Sequence, residues 1–190
     1  MIHHAWRDAF WGTVQHGEVA TPLRDASIEG RLGEWTRLLT GVSVETCRAV
    51  GWQAAAKGYP LDLLPLQHSE YLTLDVVAFP TGTARWRFPA AAIELENVQA
   101  EDRIAYSLWK VLSVRADLRI VFCYRPDPAD APALMRRLAK DVVAALDVDS
   151  RLRLGPTLVV VGCRDEAATF PYGFFKWWAL ETNTGAFGLM

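Results

Sequence analysis

Short apolar runs that alternate with amphipathic segments constrain the fold of this chain most strongly. Residues 118–124 (LRIVFCY) and 157–163 (TLVVVGC) are apolar and rich in β-branched side chains, which indicates two buried strands. The segment between them predicts a helix, capped by Asp127 or Asp130, whose apolar face consists of Leu134, Leu138, Val142, Val143 and Leu146. This alternation predicts an α/β fold in which a mixed central β-sheet is flanked by helices.

The chain is one domain long, and its first third is mainly helical by pattern. Residues 1–30 predict an irregular or partly helical lead-in. Helical spacing of apolar residues predicts one helix over residues 31–40, and a second from Ser43 that ends before Gly58 and Pro60. We therefore divide the single domain, residues 1–190, into a mainly helical lead-in (1–60), a core (70–125) and a final part with one helix and the C-terminal strands (126–190).

Acidic residues interrupt the predicted hairpin of this core. Residues 71–79 (YLTLDVVAF) predict a buried strand and residues 85–95 its partner, joined by a turn at 80–83. Asp75 stands inside the first strand, where an unpaired carboxylate is costly to bury. Glu94 and Glu96 are two residues apart on the second strand and share a face. If the hairpin pairs as predicted, three carboxylates converge, and such a group favours Mg²⁺ or Mn²⁺ as a neutralising cation.

Purely structural roles for these acids stay open. Asp75 can form an ion pair across the hairpin with Arg85 or Arg87, and Glu94 and Glu96 can belong to the polar face of a half-buried strand. Glu70 is five residues before Asp75, so a regular strand would place it on the opposite face. His68 also lies near this strand.

The core resembles the PD-(D/E)XK nuclease superfamily, which has the restriction-endonuclease-like fold. Asp75, a gap, Glu94-Leu95-Glu96, a predicted helix over residues 101–114 with Lys110, and the strand LRIVFCYR carry the resemblance. By resemblance, Asp75 and Glu94 are metal ligands, and Glu96 occupies the position of the usual lysine. Lys110 is the candidate for a lysine that has moved to the next helix, although a solvated helix lysine is the alternative. Glu34 could supply an additional acid from the first core helix.

The resemblance implies metal-assisted phosphodiester hydrolysis by an Mg²⁺-dependent endonuclease. The catalytic candidates are Asp75, Glu94, Glu96 and Lys110, with the first three also holding the metal. For binding nucleic acid, the candidates are Arg85, Arg87, Asn97 and Arg115, although Asn97 is also a candidate helix cap. Acidic residues are interleaved with the arginines and the net charge is −2, so the sequence predicts no general basic coat.

The remaining features favour a soluble cytoplasmic protein. Cys47, Cys123 and Cys163 have no metal-binding or disulfide spacing, and the chain has no apolar run that could span a membrane and no signal-peptide pattern. Residues 170–178 contain six aromatics, which indicates a buried strand or a homodimer interface. Two functions therefore stay open: a metal-dependent nuclease, or a catalytically inactive nuclease-like fold that acts as a binding or protein-interaction module.

Overall fold

A mixed sheet forms the centre of the protein in the computed structural model, which describes residues 1–66 and 70–190. Its seven strands lie side by side in chain order: β1 (Trp52–Ala56), β2 (Val76–Pro80), β3 (Ala91–Leu95), β4 (Leu118–Arg125), β5 (Thr157–Cys163), β6 (Phe175–Glu181) and β7 (Ala186–Leu189). β3, β4 and β5 are parallel, and the other neighbouring pairs are antiparallel. The predicted α/β class, with a mixed sheet flanked by helices, is confirmed.

Helices cover both faces of this sheet. The described residues form six α-helices: α1 (Ile2–Val14), α2 (Gly17–Ile28), α3 (Leu32–Ala49), α4 (Glu101–Leu112), α5 (Ala131–Asp141) and α6 (Val148–Leu152). The apolar faces of α1, α2 and α3 pack on one side of the sheet, and those of α4 and α5 pack on the other. Because side chains alternate along a strand, each central strand contributes to both apolar layers.

The first third of the chain differs from the sequence prediction. Residues 1–30 form two regular helices, and a single helix α3 replaces the two predicted after residue 30. α3 continues through Gly41, which gives room to Tyr59: a Cβ atom at this position would lie 2.9 Å from the Tyr59 hydroxyl. Ser43 is therefore a buried residue within the helix and not a cap. Residues 52–56, predicted as helix, form the edge strand β1.

The predicted hairpin is present, but with shorter strands. β2 and β3 are five residues each, and Val76 pairs with Ile93 in antiparallel register. The first residues of the predicted strand form a 3-10 turn, Tyr71–Thr73. The connection between the strands, residues 81–90, is a loop. Asp75 therefore lies immediately before β2 and not in the middle of a strand.

The second half of the chain follows the prediction closely. Strands β4 and β5 and helix α4 lie where their apolar patterns predict them. Asp130 is the N-terminal residue before α5, and this helix ends earlier than predicted, with a 3-10 turn (Val143–Ala145) after it. Asp127 instead caps the short turn before it by accepting a hydrogen bond from the Ala129 amide.

The aromatic C-terminal segment is part of the core. Phe175 and Trp177 of β6 pack against Phe10 of α1, with ring centroids 5.1 and 5.2 Å away. β6 pairs with β5 on one side and β7 on the other, so it has no free edge for a second copy of the chain. A homodimer through this strand therefore gains no support from the fold.

The cysteines and the helices agree with two further expectations. Cys47, Cys123 and Cys163 are free thiols, and all three are buried. Across residues 1–66 and 70–190, no helix combines the length and the apolar character needed to cross a membrane.

Candidate functional site

Two carboxylates lie opposite each other where β2 begins and β3 ends. The register that pairs Val76 with Ile93 places Asp75 opposite Glu94, so both side chains are on the sheet face covered by α4. Asp75 Oδ2 accepts a hydrogen bond of 2.7 Å from the backbone amide of Leu95. The ion pair with Arg85 or Arg87, left open by the sequence, is thus replaced by a bond to the neighbouring strand.

Lys110, on helix α4, contacts the Glu94 carboxylate of this pair. Its ammonium nitrogen lies 2.9 Å from Glu94 Oε1 and donates a 2.6 Å hydrogen bond to the carbonyl of Thr73. The side chains of Glu94 and Lys110 are only 8% and 22% exposed, so this ion pair is shielded from water. We refer to Asp75, Glu94 and Lys110 as the acid–lysine site.

Glu96 lies beside this site but does not join it. Its Oε1 accepts a hydrogen bond of 2.8 Å from the amide of Val98, which holds the carboxylate at the start of α4. Its Oε2 accepts a 3.4 Å hydrogen bond from the Ser107 hydroxyl and lies 3.8 Å from Arg103 Nε. Within residues 1–66 and 70–190, no three acidic, histidine or cysteine side chains are arranged to hold a metal ion. The predicted convergence of three carboxylates is therefore reduced to two carboxylates and a lysine.

Burial raises the pKa values of both Asp75 and Glu94. Removal from water raises the pKa of Glu94 from an ordinary value of 4.5 to about 7, and the charge of Asp75 adds to this shift while Lys110 opposes it. Burial also raises the pKa of Asp75, against the opposing effect of the Leu95 amide and of Lys110. Both carboxyl groups therefore take up a proton more readily than exposed acids do, chiefly because they are shielded from water.

The backbone just before Asp75 is strained. Leu72 and Thr73 have φ values of 58° and 57°, in the left-handed region that residues with a Cβ atom rarely adopt. The carbonyl of Thr73 is the one that accepts the hydrogen bond from Lys110. Strain of this kind clusters at functional sites, where the surrounding structure enforces it. The turn also removes Glu70 from the strand alternation that the sequence predicts, and its charge contributes to the raised pKa of Asp75. His68 lies outside the described residues.

The predicted substrate-binding arginines lie at the opposite end of the hairpin. Arg85 and Arg87 belong to the loop of residues 81–90, about 16 Å from the acids by strand length. Arg87 donates to carbonyls of its own loop, including that of Ala84 at 3.0 Å. The Arg115 guanidinium lies over the ring of Phe88, 4.6 Å from its centroid. Arg87 and Arg115 therefore contact this loop and not the acids.

Other sequence candidates also have structural partners. Asn97 does not cap α4, which begins after Ala100. Its amide nitrogen donates to the Thr36 hydroxyl on α3, so Asn97 is on the face opposite the acid–lysine site. Glu34 forms an ion pair with Arg31 on the surface of α3.

Sequence reasoning missed three groups around these side chains: the Thr73 carbonyl, which contacts Lys110, and Arg103 and Ser107, which contact Glu96. The carbonyl of Thr73 could not be foreseen, because it depends on the unusual turn. Arg103 and Ser107 could have been found, since they precede Lys110 on one helix by seven and three residues and so share its flank.

Comparison of the chain with protein-family models, with curated proteins and with solved structures gives no match. The resemblance to PD-(D/E)XK nucleases therefore stays a prediction, and a function has to be inferred from the geometry of the acid–lysine site.

Proposed function

We propose that this protein is a metal-dependent nuclease that hydrolyses phosphodiester bonds at the acid–lysine site. One observation carries the proposal: Asp75 lies opposite Glu94 on adjacent strands, and the Lys110 ammonium is 2.9 Å from Glu94. The order β2, β3, α4, β4 also agrees with the segment that resembles the PD-(D/E)XK core.

The residues present fit a hard divalent cation such as Mg²⁺ or Mn²⁺. Mg²⁺ is commonly held by one or two protein carboxylates, together with water and substrate phosphates. Asp75 and Glu94 supply two, and burial raises the pKa of both, so a cation that replaced their lost hydration would favour the charged carboxylates. A bound cation would polarise a phosphoryl oxygen and lower the pKa of a coordinated water.

The side chains of the site have separate roles in this proposal. Asp75 and Glu94 hold the cation, and the Leu95 amide fixes the orientation of Asp75. Lys110 offsets negative charge that develops on the phosphate, since a cation on Glu94 leaves the ammonium available for a phosphate oxygen. Glu96 connects the loop before α4 to the helix, since it accepts hydrogen bonds from the Val98 amide and from the Ser107 hydroxyl.

An exposed aromatic pair on α4 supports a nucleic-acid substrate. The rings of Tyr106 and Trp109 stack with centroids 5.8 Å apart, and each residue is 55% exposed. Arg103, on the same helix, is also exposed. Exposed aromatic rings near cationic side chains can serve as surfaces on which the bases of a single strand stack.

Calorimetric titration with Mn²⁺ tests the metal site. We expect the wild type to bind Mn²⁺ with micromolar to millimolar affinity, and Asp75→Asn and Glu94→Gln each to lose this binding while remaining folded by circular dichroism. The exposed Glu18 provides a matched control, because Glu18→Gln removes one charge far from the site in α2. Equal binding by the wild type and both site variants would exclude a metal at these carboxylates.

Hydrolysis of labelled single-stranded and duplex oligonucleotides in Mn²⁺ then tests the activity. We expect Asp75→Asn to abolish cleavage and Glu18→Gln to leave it unchanged. Cleavage at the wild-type rate by Asp75→Asn would overturn the proposed function.

A second candidate is a binding module that has this fold without catalysis. The specific observation in its favour is that Lys110 already pairs with Glu94, whose side chain is 8% exposed. In that case Lys110→Met should create Mn²⁺ binding that the wild type lacks, because the carboxylates lose their built-in counter-charge. Mn²⁺ binding by the wild type would argue for the nuclease instead.

A further inference from the structure

A cavity lies apart from the acid–lysine site, between α5, α6 and the β6–β7 hairpin. It encloses about 460 Å³, within the usual range for small-molecule sites. β6 is three strands from β3, a separation of roughly 14 Å across the sheet. We refer to it as the cationic pocket, because three of its lining residues are basic and none is acidic: Arg136, Lys140 and Arg151.

The three cations lack carboxylate partners. Across residues 1–66 and 70–190, no ion pair connects Arg136, Lys140 or Arg151 to an acidic side chain. Arg136 and Lys140 are four residues apart on α5, a spacing at which like charges destabilise a helix. An anion bound between them would remove this repulsion.

Arg151 is held in place at the edge of the pocket. Its Nε donates a 2.7 Å hydrogen bond to the carbonyl of Thr182, and a terminal nitrogen donates at 3.0 Å to that of Asn183. Gly185, with φ 78°, leaves space for the guanidinium, since a Cβ atom there would lie 3.1 Å from its other terminal nitrogen. A fixed guanidinium of this kind loses little conformational entropy when it binds an oxyanion.

Aromatic side chains form the wall of the pocket on the sheet. Trp178 of β6 and Phe187 of β7 both line it, and both are partly exposed. The indole N–H of Trp178 is buried and has no hydrogen-bond partner among the described residues. The pocket thus combines cations for a phosphate group with flat apolar surface for an aromatic ring.

We infer that the cationic pocket binds a nucleotide, with its phosphate at Arg136, Lys140 and Arg151 and its base against Trp178 and Phe187. The ligand is a free mononucleotide or the 5′-phosphorylated end of a nucleic-acid strand, since both present the same chemistry. This site is independent of the proposed nuclease activity, because none of its residues belongs to the acid–lysine site.

Calorimetry with adenosine 5′-monophosphate, adenosine and inorganic phosphate tests the inference. We expect the monophosphate to bind at least tenfold more tightly than adenosine or phosphate alone, because only it engages both walls. If adenosine bound as tightly as the monophosphate, a phosphate site would be excluded. If inorganic phosphate bound as tightly as the monophosphate, a base site would be excluded. Either result would overturn the inference.

Variants locate the binding in this pocket. Arg136→Ala combined with Lys140→Ala should weaken monophosphate binding at least tenfold, and Trp178→Leu should weaken it by removing the ring. Arg153→Ala is the matched control, because Arg153 is an exposed cation just after α6 that does not line the pocket. Unchanged affinity in the double variant would overturn the inference. Because Arg136 and Lys140 are exposed on α5, the double variant is expected to fold, which circular dichroism checks.

Titration with a dinucleotide that carries or lacks a 5′-phosphate distinguishes a free mononucleotide from a strand end as the ligand. Tighter binding of the phosphorylated dinucleotide than of the mononucleotide assigns the pocket to strand ends, and the reverse assigns it to free nucleotides. The same titration on Asp75→Asn should give unchanged affinity, so failure of the nuclease proposal would leave this inference standing.

Discussion

At the scale of single residues, the most unusual feature is a cluster of charged side chains that is largely shielded from water, the acid–lysine site. Glu94 lies in a strand whose other residues are all apolar and buried, and one lysine offsets its charge only in part. Charged groups removed from water lower the stability of a fold unless they are well paired. This cost is consistent with the proposed role of the acid–lysine site in binding a cation.

The first prediction concerns how stability depends on pH. The pKa of Glu94 is about 7 in the folded state and about 4.5 in the unfolded chain, so the folded state binds more protons between these values. The free energy of unfolding should therefore decrease as pH rises from about 4.5 to 7, and level off above 7. After allowance for partial solvation, the decrease attributable to Glu94 is of order 1–3 kcal/mol.

Urea unfolding of the wild type and Glu94→Gln at pH 5 and pH 8 measures this effect. The glutamine variant should lose less stability than the wild type between the two values, because it cannot ionise. An identical loss in both proteins would show that Glu94 titrates normally.

The second prediction concerns Lys110 and depends on the proposed nuclease activity. Lys110→Met should lower the cleavage rate roughly 100-fold, since it removes a cation from the developing negative charge. Lys110→Arg keeps the charge and should retain more activity than the methionine variant. Single-turnover cleavage at saturating Mn²⁺ measures both, and equal rates for methionine and arginine would assign Lys110 a packing role.

At the scale of elements, the 3-10 turn Tyr71–Thr73 decides where the acids meet. It ends immediately before Leu74 and Asp75, and its last carbonyl holds Lys110. A continuous strand over residues 71–79 would have left this carbonyl in the ladder of the sheet. The turn thus couples helix α4 to the start of β2.

The third prediction is that Thr73→Gly stabilises the fold. A left-handed conformation costs a residue with a Cβ atom about 1–2 kcal/mol, while glycine adds entropy to the unfolded chain. The net gain should be roughly 0.5–1 kcal/mol in thermal or urea unfolding. Thr73→Ala, which keeps the Cβ atom, should give no such gain, and equal gains in both variants would contradict the role of backbone strain.

The sequence could predict the elements whose own residues show a full strand or helix pattern of apolar side chains. β4 and β5 are long, apolar and β-branched, and α4 has a clear apolar face. β1, with the sequence WQAAA, and the four-residue β7 are too short and too poor in β-branched residues to show such a pattern, and each is stabilised by pairing with a neighbouring strand.

The sequence could predict which side chains of the acid–lysine site lie near one another, but not the contacts around them. The positions of Asp75, Glu94 and Lys110 follow from one hairpin and the next helix, which are local in sequence. The placement of Arg85 and Arg87 at the far end of that hairpin depends on the length of the loop, and Glu96 turns away because it binds a nearby amide. Such contacts are set by three-dimensional packing and not by pattern.

At the scale of the whole molecule, α1 joins the first residues of the chain to its last strands. Phe10 is fully buried and lies within 5.6 Å of the rings of Phe122, Phe175 and Trp177. The aromatic residues of the C-terminal segment thus find partners at the opposite end of the sequence; the pattern predicted a buried strand or a homodimer interface there, but not that α1 covers it.

The last prediction tests whether residues 1–190 form one cooperative unit. Phe10→Ala should lower the free energy of unfolding by about 3–5 kcal/mol, because it opens a cavity in the aromatic layer beneath α1. Trp86→Ala is the matched control, since Trp86 is 68% exposed and its loss should cost less than about 0.5 kcal/mol. If residues 1–30 instead formed the irregular lead-in that the sequence predicts, Phe10→Ala would change the free energy of unfolding as little as Trp86→Ala does.

Unfolding of these two variants should be followed by both tryptophan fluorescence and circular dichroism. If α1 is integral to the domain, the two signals coincide in a single transition that shifts as a whole in Phe10→Ala. A separate early transition confined to α1 would instead show that the first helix folds independently of the sheet. A single shifted transition would mean that the acid–lysine site on one face of the sheet depends on the aromatic layer on the other, because β3 and β4 contribute side chains to both.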